Sequence, residues 1–175
     1  MKANMRQFNL FLALLAMAVL CGCQTDKKSK ETSALRVHIE ANSDDPGTSQ
    51  AVSVPPRDDP VLITIEKEPI LTEANLIQSR VIDSHGGIAI QIQFDESSTL
   101  VLEQYSAANP GKHFVIFGQW GEKAAAGRWL AAPLITHRIA GGILSFTPDM
   151  SHEEADRLVL GLNNVSKKII KGQLK

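Results

Sequence analysis

The stretch from Lys112 to Leu162 constrains this chain more than any other. It reads KHFVIFGQW, a polar loop, WLAAPLITHRI, the pair Gly141-Gly142, ILSFTPDM and SHEEADRLVLGL. His113 to Gly118 is an apolar strand, and Gln119 to Arg128 is polar and glycine-containing, as a loop should be. Trp129 to Ile139 reads as the next strand, with Pro133 marking a bulge or an edge position. Gly141-Gly142 turns the chain into Ile143–Phe146. Ser151 and Glu154 then have the spacing of a capping box. Ala155, Leu158, Val159 and Leu162 fall at i, i+3, i+4 and i+7, one apolar face of a helix. Val165 and Ile169 extend that face, and Lys167, Lys168, Lys171 and Lys175 complement its C-terminal dipole. Strand, strand, tight turn, strand and helix in this order specify a sheet with a helix laid on it.

Upstream, Leu35 to Ala41 alternates. Leu35, Val37 and Ile39 share one face, while Arg36, His38 and Glu40 share the other, which makes His38 a surface histidine. Asn42 to Gln50 is rich in turn formers. A short strand fits Ala51–Val54, and Pro55-Pro56 stops it. Val61–Glu66 alternates again. Thr72 reads as the N-cap of a short helix through Gln78, with Glu73 in its first turn. Arg80–Ser84 returns as strand, and Asp83 to Gly87 turns it into a second strand carrying Ile88, Ile90 and Ile92. Asp95 to Ser98 opens a helix whose Leu100, Val101, Tyr105 and Ala108 can share a face, ended by Asn109-Pro110-Gly111. The expected fold is α+β: one antiparallel or mixed sheet of about six strands, with two main helices and one short helix on one face. A length of 175 residues suits a single such domain.

The first 22 residues read differently. Lys2 and Arg6 precede an apolar run from Phe8 to Leu20, the pattern of an export signal. That run is shorter than the about 20 apolar residues a membrane-spanning helix needs. Leu20-Cys21-Gly22-Cys23 resembles a bacterial lipobox, which implies cleavage before Cys23 and lipidation of Cys23. Cys21 fits less well, because bulky Leu20 would stand before it. Residues 1–22 are thus expected to be a lipoprotein signal peptide and residues 23–34 a flexible tether. Residues 35–171 are expected to form the folded domain, held at a membrane by its lipid and not spanning it. Loss of Lys2 and Arg6 takes the net charge from −1 to −3. Which membrane of the envelope holds the lipid stays open.

Little in the chain points to chemistry. With a net charge of −1, nothing suggests nucleic-acid binding through a basic surface. Both cysteines lie before residue 24, so the domain body has no thiolate for a disulfide, a metal or redox work. Asp44-Asp45 lacks the spacing of a calcium loop. His152-Glu153 lacks the second histidine of a zinc helix, and Gly86-Gly87 is followed by a strand where a phosphate cradle needs a helix. Asp95 and Glu96 pair at a helix start, where capping explains them. No motif supplies a nucleophile, a base or a metal shell, so no catalytic activity, metal or cofactor is expected.

From about Pro69 to Leu162 the chain resembles the head subdomain of the first large periplasmic domain of SecD, an accessory subunit of the bacterial Sec translocon. Pro69-Ile70-Leu71-Thr72 resembles a PVLTG-like segment of that family. Gln93-Phe94-Asp95-Glu96 resembles its strand ending in FNEEG. Lys112 to Phe117, Ala132-Pro133-Leu134-Ile135, Gly141-Gly142 through Phe146-Thr147, and Ser151 to Leu162 match later family segments in one order. The resemblance implies contact with exported polypeptide. The chain departs from the family in having no transmembrane helices after the signal, so it cannot be a proton-driven motor by itself. It also departs in the longer Gln119 to Arg128 loop, flanked by Trp120 and Trp129, the only two tryptophans. Tryptophan is enriched at interaction hot spots. Trp129, at a strand start, is expected to pack on the sheet, which leaves Trp120 as the better contact residue. The expected function is a lipid-anchored envelope protein facing the periplasm that binds polypeptide or an envelope protein, the Sec translocon among its candidate partners. The contact modes are a free sheet edge and the Trp120 loop. The alternative is an adaptor lipoprotein with one fixed partner and no translocation role.

Overall fold

The computed structural model describes residues 31–42, 45, 47–84, 86–121 and 126–172. In chain order the elements are β1 (Ala34–Ile39), β2 (Ser49–Val54), β3 (Val61–Glu66), β4 (Leu71–Thr72), a 3-10 turn (Glu73–Asn75), β5 (Leu76–Ser84), β6 (Gly87–Phe94), α1 (Glu96–Ala108), β7 (Phe114–Trp120), β8 (Ala126–Ala131), β9 (Ile143–Phe146) and α2 (His152–Ile170). The strands form a four-stranded sheet in the order β4-β1-β7-β8, a two-stranded hairpin β2-β3, and a three-stranded sheet β5-β6-β9. Every pairing is antiparallel.

The α+β class matches the sequence expectation, but the single sheet of about six strands is replaced by three sheets. The hairpins β2-β3 and β5-β6 pair within themselves, outside the β4-β1-β7-β8 sheet. The chain passes Pro133, turns at Gly141-Gly142, and β9 then pairs with β6, Leu144 opposite Ile92, instead of folding back on β8. Gly142 adopts φ 65°, and a Cβ there would lie 2.0 Å from Thr99 Oγ1, so only glycine lets the turn pass close to α1.

Local signals placed most elements. Ser151 Oγ accepts from the Glu154 amide, and the Ser151 amide donates to Glu154 Oε2 at 2.9 Å, completing the capping box of α2. Ala155, Leu158 and Leu162 of that helix are fully buried. Asp95 caps α1 by accepting from the Ser98 amide at 2.7 Å. The buried face of α1, however, is Ser98, Leu102 and Ser106, while Leu100 is 64% exposed. The short helix expected from Thr72 to Gln78 ends at Asn75, because Leu76 enters the core at the start of β5. The strands flanking the Gln119 to Arg128 loop run further into it than expected, with Gln119 and Trp120 in β7 and Ala126–Arg128 in β8. β8 stops at Ala131, before Pro133, which cannot donate to a ladder.

The main core lies on one face of the four-stranded sheet. Leu35 and Val37 of β1, Phe114, Ile116 and Trp120 of β7, and Leu130 of β8 meet Ile90, Ile92 and Phe94 of β6 and Leu158 and Leu162 of α2. Burying each large aliphatic side chain of this set contributes about 1.5–3 kcal/mol. Gly118 makes room in the centre: a Cβ there would lie 2.6 Å from Leu130 Cδ1. A second cluster, Val52, Val54, Ile63 and Ile65 of the hairpin with Val115 of β7, covers the opposite face of the same sheet.

The folded unit begins at Glu31, four residues before the expected boundary at Leu35. The Asn164 amide group donates to Glu31 O at 3.0 Å. Ser33 is buried against Gly161, where a Cβ would lie 2.1 Å from Ser33 Oγ. Among the described residues no helix is long and apolar enough to cross a membrane. Cys21, Cys23 and the whole 1–30 segment lie outside the described residues, as do Asp44, His85 and Lys175.

Candidate functional site

The four-stranded and three-stranded sheets expose four edges. β4 has two residues and β9 four. β5 is the longest, but α2 seals it. The Ser79 amide donates to Asn163 Oδ1 at 2.8 Å, Asn163 Nδ2 donates to Ser79 O at 2.9 Å, and Ser166 Oγ donates to Ile77 O at 2.8 Å. Of these four edges, that leaves β8 as the longest that α2 does not seal, although the Asp149 amide already caps it at Leu130 O. An edge of this kind carries unpaired backbone groups that a second extended chain can satisfy.

β8 is held by its alternate side chains. Arg128 reaches α2, donating through Nη1 to Glu154 Oε1 at 3.1 Å and through Nη2 to Glu154 Oε2 at 3.0 Å and to Asp149 O at 3.2 Å. Its guanidinium also lies 4.8 Å from the centre of the Trp120 ring. These hydrogen bonds from Arg128 hold the Glu154 carboxyl at a pKa of about 2, against an ordinary 4.5. Leu130 points into the main core. On its outer side the strand borders a groove of about 480 Å³, bounded by Leu130 to Pro133, by Phe146 to Asp149 and by Pro55-Pro56. Asp149 donates its amide to Leu130 O at 2.9 Å, and Arg57 Nε meets Asp149 Oδ2 at 2.9 Å at the groove's end.

Trp129 points to the opposite face of the sheet. Its ring meets Phe117 edge-to-face at 5.1 Å and His38 at 5.4 Å. A cleft of about 360 Å³ opens beside it, lined also by Arg36, Gln50, Lys67 and Pro69. His38 is buried there, 4% exposed, because the β2-β3 hairpin covers the face that alternation alone marked as solvent. Its Nδ1 lies 2.8 Å from Glu66 O, which can only accept, so Nδ1 carries the proton. Burial pushes the His38 pKa down. The bond to Glu66 opposes that shift, and Arg36 adds to it.

Of the two tryptophans, Trp120 departs from the setting expected of it. Trp120 stands at the end of β7, not in a loop, and is 2% exposed under Arg128, so in this fold its ring is core. Trp129 packs on the sheet as expected, yet it keeps an open side and lines a cleft. His38, Phe117 and Arg36 were missed as companions of Trp129. The signal available was register, since Arg36 pairs with Phe117 and Phe117 with Trp129 across three neighbouring strands.

A groove of about 570 Å³ lies at the end of the hairpin beside Leu62 (75% exposed), Glu40 and His113. Its titratable pair has a structural task. Glu40 Oε2 accepts from the His113 amide at 2.9 Å and lies 2.7 Å from His113 Nδ1, fastening the ends of β1 and β7. Among the described residues no group of three His, Cys, Asp or Glu side chains is arranged to hold a metal ion.

Comparison with known proteins places this fold. The family described as SecDF, P1 head subdomain matches residues 49–166. A solved structure of SecDF, a membrane component that enhances protein export, superposes with a TM-score of 0.54 at 21% identity, covering 81% of this chain and 66% of that one. SecDF in a super-membrane-facing form gives a TM-score of 0.55 at 20% identity, over 81% of this chain and 21% of that one. The chain thus spans only part of the length of the proteins it resembles. No curated protein matches the sequence. The match over residues 49–166, well over half of the chain, shows that the protein belongs to the SecDF P1 head subdomain family.

Proposed function

We propose that this chain binds extended polypeptide in the cell envelope in support of protein export, through the β8 edge and the grooves on either side of it, without catalysis of its own. The observation that carries the reading is the edge of β8 ahead of Leu130, whose own carbonyl is taken by the Asp149 amide; that edge is unsealed by α2 and leads into a partly apolar groove in a domain of an export-associated family. Backbone pairing gives affinity that is independent of sequence, which suits a domain meeting many exported chains. A lipid on Cys23 anchors the domain at a membrane, facing the periplasm. The support for the anchor is the lipobox-like Leu20-Cys21-Gly22-Cys23 after an export-type apolar run.

Photo-crosslinking in living cells tests the binding surface. A photoreactive phenylalanine replaces Trp129, with a control probe at the exposed helix position Asp156. The expected result is a set of many exported proteins trapped at position 129, lost when secretion is blocked. One discrete band insensitive to secretion would overturn this reading in favour of an adaptor with a fixed envelope partner. For the anchor, Cys23→Ser is expected to abolish palmitate labelling and move the protein from the membrane to the soluble fraction. Retention of both would remove the lipid from the proposal.

A further inference from the structure

The C-terminal end of α2 carries charge of one sign beside exposed apolar surface. Lys167, Lys168 and Lys171 stand in or directly after its last turn. At 3.6 residues per turn, Ile170, Lys167, Lys171 and Lys168 share one arc of about 160°. Ile170 is 71% exposed. The Ser166 hydroxyl donates to Ile77 O at 2.8 Å, which brings Ile77, 49% exposed, to the same end. The helix dipole accounts for basic residues here, but not for two isoleucines left in water beside them. From Arg157 to Lys175 the sequence has no aspartate or glutamate. Two carboxylates on segments packed against α2 are engaged elsewhere. Glu31 Oε1 accepts from Arg157 Nη2 at 3.2 Å, and Glu73 Oε2 accepts from the Leu35 amide at 3.0 Å. The chain enters the fold close to the lysines: Glu31 O accepts from Asn164 Nδ2, and Asn164 to Ile170 is about 9 Å of helix. Cys23 precedes Glu31 by eight residues, at most about 28 Å of extended chain.

We infer that the C-terminal end of α2 docks on a membrane surface rich in anionic lipid. The lysines meet the head groups, and Ile170 and Ile77 enter the interface. The inference rests on the Cys23 anchor proposed above and adds an orientation to it. A lipid on Cys23 holds Glu31 within about 28 Å of the bilayer, which keeps this end of α2 within reach of it. With a net charge of −3 after the expected cleavage, the chain as a whole is repelled by an anionic surface while this end is attracted. Each lysine close to such a surface changes the docked population roughly fivefold. Apolar side chains beside lysines are what a helix segment lying in the interface presents.

Spin-label accessibility supplies the test. The full lipidated chain, matured in cells, carries a nitroxide at Ile170→Cys or, as control, at Asp156→Cys in the other half of α2. It is added to vesicles of phosphatidylcholine alone or mixed with phosphatidylglycerol, and the comparison cancels the label's own affinity for lipid. In the anionic vesicles the label at 170 is expected to be shielded from a water-soluble nickel chelate, with the label at 156 exposed in both. Lys171→Gln should lower the docked-to-undocked ratio roughly fivefold. Lys167→Gln, Lys168→Gln and Lys171→Gln together should lower it roughly a hundredfold, with circular dichroism confirming the fold. Added salt should act in the same sense. A label at 170 equally exposed in both vesicles, or shielding unchanged in the triple variant, would overturn the docking inference and leave the anchor intact. Intact mass reads the anchor separately, and a chain without lipid on Cys23 would overturn both.

Discussion

The two faces of the four-stranded sheet are covered in different ways, and the difference separates a sealed core from a partly open surface. On one face Leu35, Val37, Ile116 and Leu130 meet α2 and the β5-β6-β9 sheet, and all four are fully buried. On the other face a lone two-stranded hairpin lies over Val115 and leaves Trp129 only half covered. The hairpin joins the sheet by little backbone, through the Glu40 and Ile65 bridge and the Ala41 amide donating to Thr64 O at 2.9 Å. A two-stranded hairpin is marginal by itself and needs this packing to persist. The first face is sealed core, and the second leaves Trp129 half exposed beside a cleft.

Truncation of one residue on each face tests this contrast most severely. Leu162→Ala, in the sealed core, should cost about 3 kcal/mol and lower every unfolding probe together. Ile63→Ala, under the hairpin, should cost about 2 kcal/mol or less and raise amide exchange in β2 and β3 before β7 responds. Equal losses with uniform exchange would show that both faces belong to one cooperative unit.

Gly161→Ala probes the edge of the sealed face. The new methyl would meet Ser33 Oγ at 2.1 Å and the Ser33 amide nitrogen at 2.7 Å. The expected loss is about 2 kcal/mol, with faster proteolysis before β1. A neutral outcome would mean that the segment from Glu31 to Ser33 yields without resistance.

Arg128→Lys removes the two-pronged contact that ties β8 to α2. The pair is about a third exposed, so about 1 kcal/mol is expected at pH 7. The acid limb gives a second reading. Glu154 titrates near 2 in the fold against an ordinary 4.5, so its contribution is present above pH 4.5 and is lost as pH falls towards 2. Acid denaturation curves of Arg128→Lys should be flatter across that window, and identical curves would assign the acid sensitivity elsewhere.

The smallest effect is expected at His38. Burial lowers its pKa from 6.5, so the unfolded chain takes up the proton first and stability falls as pH drops below 6.5. Gln at this position can still donate to Glu66 O. His38→Gln should therefore change neutral stability by about 0.5 kcal/mol, within the range of one hydrogen bond. It should also remove that part of the pH dependence, most visibly in hairpin exchange. An unchanged pH profile would show that His38 does not couple the hairpin to the sheet.

Sequence reading succeeded where the signal was local. The Ser151 and Glu154 pair closes its capping box, Asp95 caps α1, and the Val61–Glu66 alternation is β3 residue for residue. It failed at Trp120, His38 and Leu100 for a common reason. Alternation and helical spacing sort side chains onto faces without saying which face another part of the chain will cover. The β2-β3 hairpin turned the polar face of β1 inward at His38. Arg128 folded over Trp120 from the strand beyond the loop, which converted a presumed contact residue into core.

The sequence by itself determined the α+β class, most element positions, the caps, the turn at Gly86-Gly87 and the ordered resemblance that led to the family. All of these depend on residues near one another in the chain, where hydrogen bonds and periodicity decide. Only the tertiary structure decided that β9 would pair with β6, that α2 would seal β5 through Asn163 and Ser166, and that β8 would remain the open edge with Trp129 beside it. Those outcomes come from competition between distant surfaces for burial and for backbone partners, and no local pattern records which surface wins.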